Sequence, residues 1–316
     1  MKYTLPILFL VIFFFVPVES YAQLNYGFDF SKAGSAGLQF LKIGTGARET
    51  ALGQAVSSTT RDASALFYNP AGIAYLEKNE LQLSHNSWLA ESQYNSGAYA
   101  MPVGQFVVGI SAVSLQIKQF EETTALFPDG TGRMVSAGDV MIGIGAARRF
   151  TDRLSIGANI KYVNEKLDEY SIGNVLFDIG TIYATGFRDL TLGFALQHFG
   201  PDMKLVNQSF RTPLQFRVSA SDKLAIGRYL DFTGAIELVH PTDNREWVNY
   251  GLEANVFKLV QLRAGYRQNV DFGKFSFGVG VMPAVVDFAN FRIDYSYTVS
   301  EMIFNDIQRI SLVISF

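Results

Sequence analysis

"RISLVISF", residues Arg309–Phe316, brings the sequence to its last residue on an aromatic side chain. In an extended chain successive side chains point to opposite faces. Ile310, Leu312, Ile314 and Phe316 therefore share one face, and Ser311 and Ser315 share the other. A run that is apolar on one face and polar on the other needs an apolar surrounding on one side only.

The same period recurs upstream. Phe291, Ile293, Tyr295 and Tyr297 alternate with Arg292, Asp294, Ser296 and Thr298. Val260, Leu262, Ala264 and Tyr266 alternate with Gln261, Arg263, Gly265 and Arg267, and Leu154, Ile156, Ala158, Ile160 and Tyr162 with Ser155, Gly157, Asn159 and Lys161. Read this way, the chain predicts strands near 79–88, 94–102, 105–119, 139–150, 154–166, 174–185, 190–199, 213–223, 229–240, 247–257, 259–268, 273–283, 290–300 and 306–316. That is about fourteen, an even number of segments long enough to cross a bilayer as tilted strands. The fold class expected is all-β, a transmembrane antiparallel barrel. Connectors support it: 102–104, 151–153, 187–189 and 227–228 are short, while 121–138 and 200–212 are long. Barrels of this kind sort short turns to the periplasmic rim and long loops to the outer one. The link from Pro283 to Asn290 breaks the alternation. Tyr162, Tyr183, Tyr250, Tyr266, Tyr295 and Trp247 are expected in the aromatic girdles.

Composition agrees. Aromatic residues reach 14% and charged residues only 17%, with a formal charge of −3. The balance argues against a nucleic-acid partner, which needs a basic face. Cysteine is absent, which excludes disulfides and thiolate chemistry. After Gln23 no apolar run has the length of a spanning helix. Before it, Lys2, the apolar stretch Leu8–Val16 and the small residues Ser20 and Ala22 read as a cleaved signal peptide, residues 1–22. Residues 23–77 then form an N-terminal segment ahead of the barrel, 78–316. The expected location is the outer membrane, loops outside and C-terminus periplasmic.

The predicted inner face carries both signs of charge. Lys161, Arg217, Arg263, Arg267 and Arg292 are basic, and Asp231, Glu237, Glu253 and Asp294 acidic. A charge-selective pore shows one dominant sign, so these residues are expected to form a mutually neutralising lumen network around something lodged inside. Gly143, Gly145, Gly278 and Gly280 leave room for close approach to the wall. Within 23–77, "DASALFYNPAGIAYL" (62–76) is compact and nearly uncharged. Asn69 precedes a proline and is held extended. It can cap a short helix that begins at Pro70 and runs through Ala71 and Gly72. A plug in the barrel mouth is one reading of this segment, and a plain turn before the first strand is the other.

"DASALFYNPAG" resembles the Asn-Pro-Ala hatch of the FadL family, fourteen-stranded barrels that import hydrophobic molecules. The longer run "GLQFLKIGTGARETALGQAVSSTTRDASALFYNPAGIAYL" (37–76) is closer to the PorV/PorQ family of outer-membrane proteins, as are "LQLSHNSWL" (81–89), "GTIYATGF" (180–187) and "LQHFGPDMKL" (196–205). The terminal strand with Phe316 resembles the signal that the barrel assembly machinery reads. The PorV/PorQ resemblance implies a non-enzymatic component of type IX secretion that meets secreted cargo proteins or surface-attachment components. Its alternative is a FadL-like transporter of long-chain fatty acids or other hydrophobic compounds. Under the first, Phe127, Met134, Met203 and Phe210 in the long loops are candidate partner anchors. No cofactor is implied. The three histidines, His85, His198 and His240, lack metal-ligand spacing, and no Gly-x-Ser-x-Gly motif occurs.

Overall fold

The protein is described here from a computed structural model. It describes residues 34–205, 208–226, 229–283, 289–300 and 305–316. The signal-peptide reading, the first part of the N-terminal segment and the centre of the Pro283–Asn290 link lie outside the described residues.

Among the described residues, fourteen antiparallel strands close into one barrel. They are β1 (Glu80–Ser87), β2 (Gln93–Val103), β3 (Phe106–Gln116), β4 (Ala137–Arg149), β5 (Leu154–Leu167), β6 (Tyr170–Ala184) and β7 (Thr191–Phe199). The circuit continues with β8 (Gln215–Ile226), β9 (Leu230–Pro241), β10 (Trp247–Val256), β11 (Val260–Gln268), β12 (Phe275–Val281), β13 (Asn290–Thr298) and β14 (Ile307–Ser315). Each strand pairs with its neighbours in sequence, and the first and last close the ring, from Glu80↔Ser315 to Ser87↔Gln308. Closure leaves no free sheet edge, which a sheet in lipid requires. Phe316 extends the seam: its N–H donates to the Asn79 carbonyl at 2.9 Å. No described helix is long and apolar enough to cross a membrane.

Period-two alternation decides which way each side chain faces. Ile144, Ile160, Ile179, Leu262 and Ile310 are exposed on the outer wall, 67% in the case of Ile144. Their neighbours Gly143, Lys161, Asp178, Arg263 and Ser311 are buried inside. The expected girdle holds for Tyr162, Tyr183, Tyr266 and Tyr295, which are exposed. Trp247 does not belong to it. It lies an odd number of residues from Tyr250 on the same strand, so the two face opposite ways, and Trp247 is buried in the lumen. The link of residues 167–173, implied by strands expected at 154–166 and 174–185, is also corrected. β5 and β6 run on to Leu167 and Tyr170, joined by a tight turn in which Asp168 takes a φ of 56°.

Residues 36–76 lie within the ring of strands. Their short helices are Gln39–Lys42, Ala47–Ala51, Ala63–Phe67 and Pro70–Tyr75. The local chemistry explains the starts. The Asp62 side chain accepts from Ser64 N–H at 3.2 Å, and that of Asn69 from Ala71 N–H at 3.2 Å. Asn69 is extended (φ −148°, ψ 100°), as a residue before proline must be. Leu66, Ile73, Val56 and Ala65 have no solvent exposure. They form one apolar cluster with inward residues of the wall such as Val113, Met141 and Val163.

Candidate functional site

Two rims and an interior define the site. Short turns and Phe316 gather at one rim, and the long connectors at the other. The inner segment spans the distance between them. Leu38 donates its N–H to Glu165 near the loop rim at 3.0 Å, while Ala63 donates to Glu80 at the turn rim at 2.7 Å.

In the turn-side half the inner segment is tied to the wall by a chain of charges that alternates in sign at every step. Arg48 on the segment meets Glu253 at 3.1 Å; Arg263 meets Glu253 at 2.7 Å and Asp294 at 2.7 Å. Arg292 meets Asp294 at 2.8 Å and returns to the segment at Asp62, 2.6 Å away. Every carboxylate here has a guanidinium, as burial demands. Burial would raise the Asp62 carboxyl, but Arg292 and Arg48 outweigh it and hold it below the ordinary range. Glu49 is the exception. Its burial, reinforced by Asp62, pushes its carboxyl up to about 7, although Arg48 stands 3.7 Å away.

Backbone contact adds to this lock. A Cβ at Gly157 would meet Pro70 C, Pro70 O and Ala71 N at 2.5–2.6 Å. Nearer the loop ends of β10 and β11, the segment's Gly53 takes a φ of 61° and packs on the main chain of Tyr250 and Tyr266. Asn69 Nδ2 donates to Ser57 O at 2.8 Å and to Thr181 O on the wall at 3.1 Å. Pro70, Ala71 and Gly72 are buried in the same helix. Of the glycines expected to give room, Gly145 faces Leu66 and Gly278 faces Ala51, whereas Gly143 and Gly280 are crowded by side chains of the wall itself.

The loop-side half is held differently. Lys42 reaches Asp243 at 2.5 Å, and Gln39 Nε2 donates to the same carboxylate at 2.7 Å. Arg217 meets Glu237 at 2.7 Å, and the second Glu237 oxygen accepts from Val56 and Ser57 N–H at 3.1 and 2.8 Å. Lys161 is paired with Asp178. The wall bulges here: Gln197 and His198 oppose the single residue Asp178, and His198 takes a φ of 63° with its N–H on Asp178 Oδ1 at 2.8 Å. Between this wall and the Gln39–Lys42 strap is a cleft with room for little more than ordered water. Leu41, Ile43, Phe67, Tyr94 and Met141 supply its apolar lining, and Lys42, Thr45, Gln54, Lys161, His198 and Arg217 are among its polar lining.

Of the residues expected in a lumen network, Lys161, Arg217, Glu237, Glu253, Arg263, Arg292 and Asp294 sit in ion pairs inside. Arg267 is inside but has only Asn249, at 3.4 Å, and the Trp247 ring. Asp231 pairs with Lys223 at the turn rim, 3.2 Å away, and lies outside the network. Sequence reading missed Arg48, Asp62, Asp178 and Asp243. Three of these have no alternating strand context to mark them, and Asp178 shares its inward face with the apolar Ile172, Leu176 and Ile182, which blur the apolar–polar alternation of its strand. Among the loop anchors, Phe127 and Met134 are exposed, at 58% and 54%. Met203 and Phe210 are not. Their hairpin (Met203–Leu205 with Gln208–Phe210) folds inward, Met203 is 4% exposed, and the Phe210 ring lies against Gly37. Among the described residues no three metal-ligating side chains converge.

These features define a closed fourteen-stranded barrel with residues 36–76 packed inside it. The sequence model of an uncharacterised protein family (UPF0164) matches residues 16–167. Among solved structures, the fold is similar to the Ralstonia pickettii toluene transporter TbuX (14% identity, 86% of this chain and 97% of that one, TM-score 0.59). It is similar also to the Pseudomonas putida toluene transporter TodX (12%, 86% and 97%, TM-score 0.60) and to a Pseudomonas aeruginosa FadL homologue (12%, 86% and 98%, TM-score 0.55). At such identities the likeness is one of fold. No curated protein matches the sequence.

Proposed function

We propose that this chain is a non-enzymatic outer-membrane channel that admits hydrophobic compounds past a plug formed by residues 36–76. The observation that carries the reading is the cleft beneath the Gln39–Lys42 strap, lined by apolar and aromatic side chains interspersed with polar ones. Binding sites for small organic molecules have this make-up. The cleft is too small for cargo as it stands, so entry requires the strap to lift. The fold likeness to two toluene transporters supports the same class of solute. The apolar outer wall supports a place in lipid, with Phe316 at the seam where the assembly machinery engages. Whole-cell uptake of labelled toluene, in a host with an outer membrane but without its own channels of this type, tests the reading. Uptake well above the empty-vector rate is expected. A rate equal to the control, with the barrel correctly inserted, overturns it.

A second reading, a PorV/PorQ-like part in type IX secretion, is favoured by one feature. The loop between β3 and β4 holds Leu126 at 85% exposure beside Phe127 and Met134. Exposed apolar side chains clustered on one loop are what partner surfaces use. Deleting residues 121–138 should then abolish co-purification with cargo or attachment proteins while the barrel still assembles.

A further inference from the structure

Apart from Arg267, every lumenal cation described above sits on a carboxylate. Arg267 and Arg309 do not. Both lie on the inner face near the loop ends of β11 and β14. Among the described residues neither has a carboxylate within ion-pair distance. Arg309 Nη1 donates to Thr298 Oγ1 at 2.9 Å, and Arg267 Nε to Asn249 Oδ1 at 3.4 Å. Each guanidinium is backed by an indole: Arg309 lies 5.7 Å from the Trp88 ring and Arg267 5.8 Å from that of Trp247. Arg217 stands at the same end of β8, over the Tyr68 ring at 5.7 Å. Tyr68 offers no counter-charge. Its hydroxyl donates to Thr45 O at 2.7 Å, and burial, with Glu49 nearby, pushes the phenol up, so it stays neutral.

A second observation points the same way. Buried donors in this layer have no acceptor: Arg309 Nε, Arg217 Nε, Gln215 Nε2 and Trp247 Nε1. Arg309 is 4% exposed and Gln215 0%. Unsatisfied acceptors and donors normally find each other in a protein interior. The Asn86 amide, opposite Arg309, is unpartnered at both its donor and its acceptor; the remaining donors, held around two uncompensated guanidiniums, are complementary to an acceptor-only group. Indole faces stabilise the cations without neutralising them.

We propose that Arg267 and Arg309, with Arg217 beside them, form an oxyanion-binding site in the loop-side half of the lumen. The ligand is a small oxyanion or a solute with an oxyanion head. The inference rests on the channel reading only for its route of access, the loop mouth. It goes beyond that reading in giving the interior a preference for anions over neutral compounds of the same shape.

The test is equilibrium binding to the purified full-length barrel in detergent, with inorganic phosphate, octyl phosphate and octanol as probes. Octyl phosphate should bind at least about tenfold better than octanol, and the ratio should collapse towards one in an R267Q/R309Q double variant. R267K/R309K should restore most of it, because charge is kept while the fork is lost. Heat-modifiable migration on a gel shows that each variant is a folded barrel. Competition by inorganic phosphate would assign the site to the head group alone, and its failure to compete, with octyl phosphate still preferred, to a head with a tail. Equal binding of octyl phosphate and octanol by the wild type, or a ratio unchanged in a folded double variant, would overturn the proposal. Neither result bears on toluene uptake, so failure here and failure of the channel reading are separable.

Discussion

The two halves of the lumen are built from the same residue types and hold the inner segment by different means. On the turn side, backbone lies on backbone at Gly157, and ion pairs join Arg48 and Asp62 to the wall through Glu253, Arg263, Asp294 and Arg292. Nothing there can shift without leaving a buried charge alone, which costs several kcal/mol. On the loop side the segment is a strap held by hydrogen bonds and one ion pair to separate carboxylates, Asp243, Glu165 and Glu237, with the cleft beneath it. The turn side is an anchor, and the loop side is where opening would start. A plug that pivots on the turn rim needs only the loop-side contacts to break.

The contrast is broken most severely by Gly157→Leu. The new side chain would begin 2.5–2.6 Å from the Pro70 and Ala71 backbone, which cannot give as a side-chain tip would. Overpacking of this kind exceeds about 3 kcal/mol. The segment should unseat, and planar-bilayer recordings should show large, steady conductance where the wild type is nearly closed. Arg263→Ala comes next. Arg263 is 1% exposed in its side chain and serves two carboxylates, so its loss leaves Glu253 with Arg48 alone, Asp294 with Arg292 alone, and the buried chain one positive charge short. A penalty of roughly 3–5 kcal/mol follows. Its readout is urea unfolding of the barrel in micelles, where the midpoint should fall. An unchanged midpoint would mean the charge chain contributes no anchoring.

Asp243→Asn probes the other side. It removes the charge on which Lys42 and Gln39 converge, but Lys42 keeps 15% exposure and can turn to water. The loss should be about 1–2 kcal/mol. It should appear as brief openings in bilayer recordings, with the unfolding midpoint nearly unmoved. If Asp243→Asn destabilised the barrel as much as Arg263→Ala, the division into anchor and strap would fail.

How far this could be read in advance follows from periodicity. Strands such as "FRIDYSYT" (291–298) alternate without error, so their number, their inner and outer faces and the closed barrel were legible. Strand ends were not always, because the ends of β5 and β6, "NEKL" (164–167) and "YSIGN" (170–174), no longer follow a clean apolar–polar alternation. Charges on regular strands were placed on the right face by parity alone. Their partners were not, since Arg48, Asp62 and Asp243 lie on irregular backbone and pair across more than a hundred residues of sequence. Parity could have placed Trp247 as well, because it and Tyr250 cannot share a face. The inward fold of the Met203–Phe210 hairpin had no local signal: it depends on Gly37 leaving space for the Phe210 ring.

The smallest effect expected is one of pH, and it belongs to the anchor. Glu49 is buried on the inner segment, accepts from Ser64 Oγ at 3.0 Å and is pushed up to about 7 by burial first and Asp62 second. An unfolded glutamate titrates near 4.3. Between these values the seated segment binds a proton that the unseated one does not. Stability contributed by this proton is therefore present at low pH and lost as pH rises through about 7. Asp62 acts oppositely, since Arg292 and Arg48 hold its carboxyl down, but its transition lies below the range in which Glu49 changes. From pH 5.5 to pH 8 the segment should loosen, and open probability in bilayer recordings should rise several-fold. Glu49→Gln, which keeps the acceptor for Ser64 and cannot ionise, should flatten that rise while leaving the closed state at pH 5.5 unchanged. A rise that persists in Glu49→Gln would move the titrating group elsewhere in the lumen and leave the anchor insensitive to pH.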